Sequence, residues 1–434
     1  MIKYIQMKNL NKKSKSDVLL RNIFFFVSYF VPKKYLTFVP HSHMCITDHY
    51  TILNYRSDSA LSLAHYILSN NLLPDKKIAI GIAYNSNISL IKKYIEKQFP
   101  KRDLKFVTVY LDDNSCIKDK IKKRIEFYLT FSQSSHVFTS QTPLFRPLAS
   151  SSRITVTDLG YYTAPIKDST HDVSNPTYID YQSMNNNDFN YYIVTSEVAK
   201  RLVMASYGFK YNQFKVLGMC RNDYLFSNSD ERDLRMRIEH ETPYPLKKIL
   251  LYTPTHRDYD EKRYGVAEAS RELLGFEANL DALDLFLQKH GILIYCKIHP
   301  KQNIEVIKQK RLPSIKIFEP NDYYGLSELM KVSDALITDY TSGYFDYLIL
   351  DKPIIFNLYD IDKYVKSRGL VFNPIEAICA GEIVHNEKEF MDAIENLDFN
   401  SELYKEKRKT ILDMLNYYKD SNSCKRVYEF FFGK

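Results

Sequence analysis

Strand-like apolar runs alternate with helix-like amphipathic stretches through two successive blocks of this 434-residue chain. The strands predicted in the first block are Lys77–Tyr84, Leu104–Tyr110, His136–Thr139, Ile154–Asp158 and Tyr191–Thr195. Those predicted in the second block are Phe214–Leu217, Lys248–Thr253, Ile292–Ile298, Ile315–Phe318, Ala335–Thr338 and Pro353–Asn357. Such alternation is typical of parallel sheets covered by helices. We therefore expect an α/β protein with two doubly wound domains, whose ligands bind beyond the carboxyl ends of the strands.

Composition narrows the class of protein. Apolar residues make up 45% of the chain and charged residues 26%, as in a globular protein. The net charge of +8 weakly favours an anionic substrate or surface. The six cysteines are scattered singly, so neither a zinc site nor a disulfide framework is indicated. We expect no metal and no nucleic-acid partner.

The first 34 residues carry eight Lys or Arg against one acid, Asp17. They include the apolar run 23–31, which is too short to span a bilayer. No small-residue cleavage site follows, so a signal peptide is not indicated. Two interpretations stay open: a buried element that packs on the first domain, and an interfacial segment that seats the protein on an anionic membrane.

Cationic and hydroxyl side chains follow four predicted strands of the second block: Arg221, Arg257, His299 and the pair Thr341–Ser342. Arginine binds phosphate through a planar fork, and histidine can donate a proton to a leaving oxygen. A helix N-terminus with hydroxyl groups suits a second phosphate. Together these groups predict a diphosphate site. The chain has no GxxxxGK[ST] or GxGxxG motif, which argues against a P-loop enzyme and a dinucleotide oxidoreductase.

Several short motifs in the second block, in order, resemble the CDP-glycerol glycerophosphotransferase family of teichoic-acid and capsule polyol-phosphate transferases. They are Thr253–Asp258, Lys297–Pro300 and Ser333–Ser342, preceded by Gly218–Asp223 with Cys220 where the family usually has proline. The resemblance covers roughly residues 190–430. It implies a GT-B-like enzyme of two Rossmann-like domains with a cleft between them. The expected divisions are a membrane-associating segment 1–38, an acceptor domain 39–212, a CDP-donor domain 213–415 and a closing helix 416–434.

The resemblance also implies roles for single residues. His299 corresponds to the family's essential donor-side histidine, and Arg257, Thr341 and Ser342 would hold the diphosphate. The predicted donor-binding set is completed by Arg221, Thr255, Lys297 and Asp339. No cofactor is expected besides the CDP-linked donor.

The general base has more than one candidate, because the family's Trp-His-Gly-Thr-Pro-Leu-Lys segment has no histidine here. The matching stretch is 157–167, in which Pro165 and Lys167 agree with the family. A carboxylate is ionised at pH 7 and tyrosine is not, so Asp158 is favoured over Tyr162. A histidine from elsewhere is a further alternative, namely His41, His43 or His136. Asp158 could also merely cap a turn.

The expected reaction moves glycerol phosphate, or a related polyol phosphate, from a CDP-linked donor to a hydroxyl of a cell-surface polymer or its lipid-linked primer, with release of CMP. The family resemblance implies a peripheral protein on the cytoplasmic face of the cell membrane. One alternative is a GT-B glycosyltransferase that uses a CMP- or UDP-sugar in capsule or lipooligosaccharide synthesis. Asp158-Leu159-Gly160 with His299-Pro300 resembles motifs of bacterial sialyltransferases. A second alternative is that the protein is a non-catalytic partner in a polymer-assembly complex.

Overall fold

The structure, a computed structural model, describes residues 23–24, 27–40, 55–83, 89, 93, 97–110, 116–140, 153–160, 163–166, 189–207, 211–255, 274, 279–298, 311–318, 325–397, 402 and 404–433. In these residues, thirteen strands and twelve α-helices form two α/β domains. Both sheets are parallel throughout.

The first sheet contains strands β1 to β7: Tyr35–Val39, Lys77–Ala83, Leu104–Tyr110, Ser134–Thr139, Thr155–Asp158, Tyr191–Val194 and Phe214–Val216. Their order across the sheet is β3-β2-β1-β4-β5-β6-β7. The direction of winding therefore reverses between β1 and β4, as in doubly wound sheets.

The second sheet contains strands β8 to β13: Lys248–Thr253, Ile292–Cys296, Ile315–Ile317, Ala335–Thr338, Ile354–Asn357 and Glu382–Val384. Their order is β10-β9-β8-β11-β12-β13, which repeats the winding of the first sheet. The reversal falls between β8 and β11, and it is at such a switch point that open α/β sheets bind their ligands. The predicted pair of doubly wound domains is confirmed.

The α-helices α1 to α12 are Ser59–Ser69, Ile117–Ser132, Glu197–Tyr207, Asn222–Phe226, Arg232–Glu241, Leu280–His290, Leu326–Val332, Gly343–Tyr347, Ile361–Arg368, Glu387–Glu395, Lys405–Leu415 and Ser423–Phe432. Local sequence explains several of their ends. The Asp58 side chain accepts a hydrogen bond from Leu61 N at 2.9 Å and starts α1, and Gly291 ends α6 with a φ of 69°. Among the helices that the structure describes, none is long and apolar enough to cross a membrane.

Helices cover both faces of the second sheet, so its strands are apolar on both sides. Leu251 and Tyr295 belong to one buried cluster and the adjacent Leu250 and Ile294 to another. The first sheet likewise lies between two clusters. This double burial explains why the strands appear in the sequence as continuous apolar runs.

Two strands lie elsewhere than the sequence predicts. Tyr35–Val39 falls largely within the segment 1–38 that the sequence predicts to associate with the membrane, yet it is an interior strand of the first sheet, between β2 and β4, with Leu36 and Phe38 fully buried. The sequence predicts Phe214–Val216 as a strand of the second domain, but it pairs with β6 of the first sheet. The first domain therefore extends beyond residue 212. A strand of three residues carries too little pattern to indicate which sheet it joins.

The closing helix α12 returns to the first domain and packs on α1, where Cys424 and Val427 are buried with Leu61. The carboxylate of Asp223 accepts hydrogen bonds from Ser423 N and Cys424 N, both at 2.7 Å, and satisfies two amides at the start of α12. Gly218 has a φ of 85°, and a Cβ there would lie 2.5 Å from the Ser423 hydroxyl. The segment 218–223 is thus shaped to receive this helix.

We expect Asp223→Ala to lower the free energy of unfolding by about 1–2 kcal/mol, because two amides at the helix start lose their acceptor. Denaturant unfolding of the purified protein measures this. Asp75→Ala, which removes an exposed aspartate in the turn before β2, is the matched control and should leave stability close to wild type. Equal stability of the two variants would contradict the capping role.

Candidate functional site

The carboxyl ends of β9, β8 and β11 lie side by side at one edge of the second sheet. Thr338 pairs with Thr253, and Tyr252 pairs with Cys296, so the three strands end at nearly the same level. The segments that follow them carry most of the predicted donor site. Their convergence at the switch point agrees with the sequence analysis. Arg257 and His299 themselves lie outside the described residues.

Asp339 joins the segment after β11 to the segment after β8. The backbone N–H of Thr255 donates to both carboxylate oxygens of Asp339, at 2.9 Å each, and Asp339 is buried. A carboxylate repels phosphate but binds amides well. The structure therefore gives Asp339 a positioning contact at this edge, and direct binding of the donor by Asp339 or Thr255 stays a prediction.

Thr341 and Ser342 form the turn between β11 and α8, as predicted. Their carbonyl groups accept from Tyr344 N at 3.3 Å and Phe345 N at 3.1 Å, and both residues are partly exposed at the sheet edge. The Ser342 side chain makes no cap hydrogen bond to α8. The strand–turn–helix arrangement is confirmed, while contact of these hydroxyls with a diphosphate stays a prediction.

Lys297 follows β9 at the same edge. Its backbone N–H donates to the Tyr252 carbonyl at 2.8 Å, and its ammonium nitrogen lies 4.7 Å from the centroid of the Phe318 ring. Burial lowers the pKa of Lys297 from its ordinary value. Lys297 thus follows a strand at the predicted donor edge, with its ammonium against Phe318, and its binding role stays a prediction.

Arg221 does not follow a strand of the second sheet, because β7 belongs to the first. The expectation that it shares the strand-end edge with β8, β9 and β11 is wrong for that reason. Its guanidinium instead donates to Asp346 Oδ2 of α8, from Nε at 3.2 Å and from NH2 at 2.7 Å. Both side chains are largely buried. Arg221 therefore connects the first domain to the helix of the hydroxyl turn, and its contact with a donor stays a prediction.

Asp346 gathers two further polar groups from the first domain. The Thr163 hydroxyl donates to Asp346 Oδ1 at 2.6 Å, and the Asn222 amide nitrogen contacts the same oxygen at 3.3 Å. We call Thr163, Arg221, Asn222 and Asp346 the interdomain cluster. Sequence reasoning missed it. A charged residue inside the buried aromatic run 344–347 was the available signal.

Asp158 ends β5 of the first sheet and is buried. Its Oδ1 accepts from Gly160 N at 2.8 Å, and Gly160 has a φ of 80°, so the carboxylate does cap a turn. Burial raises the pKa of Asp158 to about 7. A carboxyl group that titrates near neutral pH can accept a proton there. The role as base stays a prediction, and Tyr162, His41 and His43 lie outside the described residues.

His136 lies within β4, beneath the closing helix. Its ring centroid is 4.7 Å from that of Phe432 and 5.7 Å from that of Phe431. Burial lowers its pKa to about 4. His136 is therefore a packing residue between the first sheet and α12.

A sequence profile of the CDP-Glycerol:Poly(glycerophosphate) glycerophosphotransferase family matches residues 74–433. The chain belongs to this family.

Known relatives agree with that assignment. The chain is 26% identical over 248 residues to the teichoic acid ribitol-phosphate polymerase TarK of Staphylococcus aureus, an alignment that covers 56% of this chain and 45% of TarK. It is 29% identical over 244 residues to the teichoic acid glycerol-phosphate primase of Bacillus subtilis, an alignment that covers 56% of this chain and 57% of the primase. The chain spans about half the length of the curated relatives it matches.

A solved structure of the wall teichoic acid polymerase TagF, soaked with CDPG, superposes with a TM-score of 0.71. The sequences are 21% identical, and the match covers 99% of this chain and 95% of that one. At this identity the likeness concerns the fold, which is of the GT-B type.

Several of the family's motif residues pack and hydrogen-bond around the Thr341–Ser342 turn. The Tyr340 hydroxyl donates to Asp360 Oδ1 at 3.0 Å, and its ring stacks on Tyr364 with 3.8 Å between centroids. Lys352 donates to the Lys331 and Ser333 carbonyls, at 2.6 Å each, and so caps the end of α7. In this family member, much of the motif pattern thus serves to position the edge of the sheet.

We expect Asp346→Asn to destabilise the protein by about 3 kcal/mol, because it leaves the Arg221 guanidinium buried without its counter-charge. Arg221→Met should also destabilise, and the double variant should lose less than the sum of the two. Denaturant unfolding of the four proteins gives a coupling energy of about 0.5–3 kcal/mol. The exposed Lys409–Asp413 pair is the control and should show little coupling. Additive effects at Arg221 and Asp346 would contradict the buried ion pair.

Proposed function

We propose that this chain transfers glycerol phosphate, or a related polyol phosphate such as ribitol phosphate, from a CDP-linked donor to a hydroxyl of a teichoic-acid or capsule-type polymer. CMP is the leaving group. The names of the relatives support the polyol-phosphate donor class and the teichoic-acid acceptor. The donor would bring its own reactive group, so the proposal needs no cofactor.

The single observation that carries the proposal is the arrangement at the switch point of the second sheet. The Thr255 amide donates to Asp339 across the ends of the paired strands β8 and β11, and the Thr341–Ser342 turn directly precedes α8 beside them. Hydroxyl groups at a helix start and at such a switch point suit a diphosphate. His299 directly follows Ile298 at the adjacent strand end, and Arg257 lies two residues after Thr255.

In the proposed reaction, the acceptor hydroxyl oxygen attacks the β-phosphorus of the donor. A phosphorus–oxygen bond to the acceptor forms, the bond between the β-phosphorus and the bridging oxygen breaks, and CMP carries that oxygen away. His299 and Arg257 would stabilise the charge on the departing oxygen. Asp158 would accept the hydroxyl proton. Most of the rate would come from positioning and charge stabilisation.

The interdomain cluster supports a coupling between the two halves of this reaction. Thr163 lies five residues after Asp158, and its hydroxyl is bound to Asp346 in the helix that follows Thr341 and Ser342. The segment that would hold the base is therefore tied to the turn that would hold the diphosphate.

If the acceptor is a lipid-linked primer, the enzyme must act at the cytoplasmic face of the membrane. The excess of basic residues in the first 34 positions supports that location. We propose a cytoplasmic protein that associates peripherally with the inner face of the cell membrane.

The reaction is tested by incubating the full chain with a lipid-linked glycerol-phosphate primer and, separately, CDP-glycerol, CDP-ribitol, a CMP-sugar and a UDP-sugar. We expect CMP release from a CDP-polyol only, and its loss in His299→Ala. His240→Ala changes an exposed histidine on α5 and should keep activity. Nucleotide release only from a CMP- or UDP-sugar would indicate the glycosyltransferase alternative, and release from none would indicate a non-catalytic partner. Either result would overturn the proposal.

A base with a pKa of about 7 predicts a pH profile. Asp158 accepts a proton only when ionised, so kcat/KM should rise as the pH increases through about 7 and then level. Asp158→Asn should lower kcat roughly 10²–10⁴-fold and remove this limb.

The free energy of unfolding should fall with rising pH, whereas kcat/KM should increase. The raised pKa of Asp158 means that the folded state favours the protonated form, so stability is fully present below the unfolded pKa and is lost as the pH rises through about 7. Asp158→Asn should flatten that decline. If the Asp158→Asn variant keeps the wild-type rate and pH profile, the base is another residue, such as Tyr162.

A further inference from the structure

Three consecutive residues before α1, Arg56-Ser57-Asp58, join the two domains at a second place. A guanidinium nitrogen of Arg56 donates to Glu328 Oε1 of α7 at 3.1 Å, and the Glu328 side chain is only 4% exposed. The Ser57 hydroxyl accepts from Ser327 N at 3.1 Å and donates to the Ser327 hydroxyl oxygen at 3.2 Å. We call Arg56, Ser57 and Asp58 the anchor tripeptide. These contacts involve none of the residues of the interdomain cluster.

Asp58 fixes the anchor tripeptide to the first sheet. Its carboxylate is buried, caps α1 through Leu61 N and also accepts from Ser140 Oγ at 2.9 Å. The same Ser140 oxygen accepts from Ala60 N at 2.8 Å. Since Ser140 directly follows β4 and α1 lies between β1 and β2, these bonds close the switch point between β1 and β4. Asp58 thus serves the first sheet as Asp339 serves the second, where a buried aspartate also joins the segments at the winding reversal.

The anchor tripeptide joins the strand-end edges of the two sheets. Helix α1 connects β1 to β2 in a parallel sheet, so it begins near the carboxyl ends of the strands. Helix α7 lies between β10 and β11 of the other parallel sheet and begins at the corresponding edge. Arg56 and Ser57 contact the second and third residues of α7. The edge where the acceptor is expected is therefore held against the edge where the donor is expected.

Neighbouring groups hold the charges of this contact in place. The Arg56 guanidinium carbon lies 4.8 Å from the centroid of the Tyr224 ring, and the Lys331 ammonium nitrogen lies 4.7 Å from the same centroid. Glu328 Oε2 accepts from Gly325 N at 3.1 Å, so this carboxylate also caps α7. Both oxygens of the buried carboxylate are thus bound, and moving it away from its partners would be costly. The contact is therefore stiffer than an ion pair at the surface.

We propose that the anchor tripeptide is a positioning element for the transfer reaction. By holding the acceptor edge against the donor edge, it sets the gap across which the acceptor hydroxyl meets the β-phosphorus. The inference rests on the proposed function and deepens it, because it names residues that act through the placement of the two edges. Reacting atoms must approach to about 3–3.5 Å, so a small widening of the gap would lower the rate steeply.

The placement of the domains is tested without any substrate, by double electron–electron resonance between two spin labels. One label is on Cys116, the exposed residue before α2, and the other on Leu285→Cys, at a position that is 68% exposed on α6. The other cysteines that the structure describes are buried, and Cys45 is replaced by serine. We expect a narrow distance distribution, which Arg56→Met broadens or shifts by several Å. Arg311→Met, which changes an exposed arginine before β10, is the matched control and should keep the narrow distribution.

The positioning role is tested by transfer from CDP-glycerol to the lipid-linked primer, at a temperature where circular dichroism shows each variant folded. Arg56→Met should lower kcat about 10²-fold and leave the Kd for CDP unchanged, because the donor edge itself stays intact. Arg56→Lys keeps the cation and should restore part of the rate. Adding Glu328→Gln to Arg56→Met removes the unpaired buried charge, so this double variant should regain stability and remain slow.

Two results would overturn the proposal: an Arg56→Met variant with the parent's distance distribution, or a double variant whose rate returns together with its stability. The second result would give the contact a structural role alone. A wild-type protein that transfers nothing from a CDP-polyol would refute the proposed function and this inference with it. An active wild type with an equally fast Arg56→Met variant would refute this inference only.

Discussion

The buried carboxylate of Asp346 holds the two domains of this protein in register. It accepts from Arg221 on one oxygen and from Thr163 and Asn222 on the other. A charge removed from water is costly unless it is paired and its lone pairs are filled, and both conditions are met here. Such a contact is sensitive to geometry, because a shift of either domain would leave a charge buried without a partner. The contact thereby helps to set the relative position of the two strand-end edges.

The edge of the second sheet is built by residues that hold one another. Asp339 fixes the loop after β8, Lys352 caps α7, and Tyr340 stacks between that region and α9. These residues use their polar groups internally, so they set distances in the site. Lys297, Thr341 and Ser342 follow strands at the edge that these contacts define. A site that depends on positioning and electrostatics needs such a rigid surround.

The first domain carries groups that act in the site and also receives the closing helix. Its loop after β5 supplies Asp158 and then Thr163, so a titratable carboxyl group and an anchor to the other domain lie on one short segment. Its inner face receives α12, with Asp223 capping the start of that helix. Strand β1 and helix α12 therefore both belong to the first domain, and the chain crosses to the second domain and back between them.

Much of the fold could be predicted from the sequence, because double burial leaves strands as unbroken apolar runs and helices as periodic ones. The two sheets, most strand bounds and the strand-turn-helix at Ala335–Tyr347 follow from those local patterns. The family motifs likewise occur in order along the chain. Tertiary structure alone decided which sheet takes Phe214–Val216, since hydrogen bonding between strands distant in sequence leaves no local trace. It also decided that Arg221 pairs with Asp346, that Tyr35–Val39 is a central strand, and that His136 is a packing residue. Residue type sets what a side chain can bind, whereas only the packing of distant segments determines which partner reaches it.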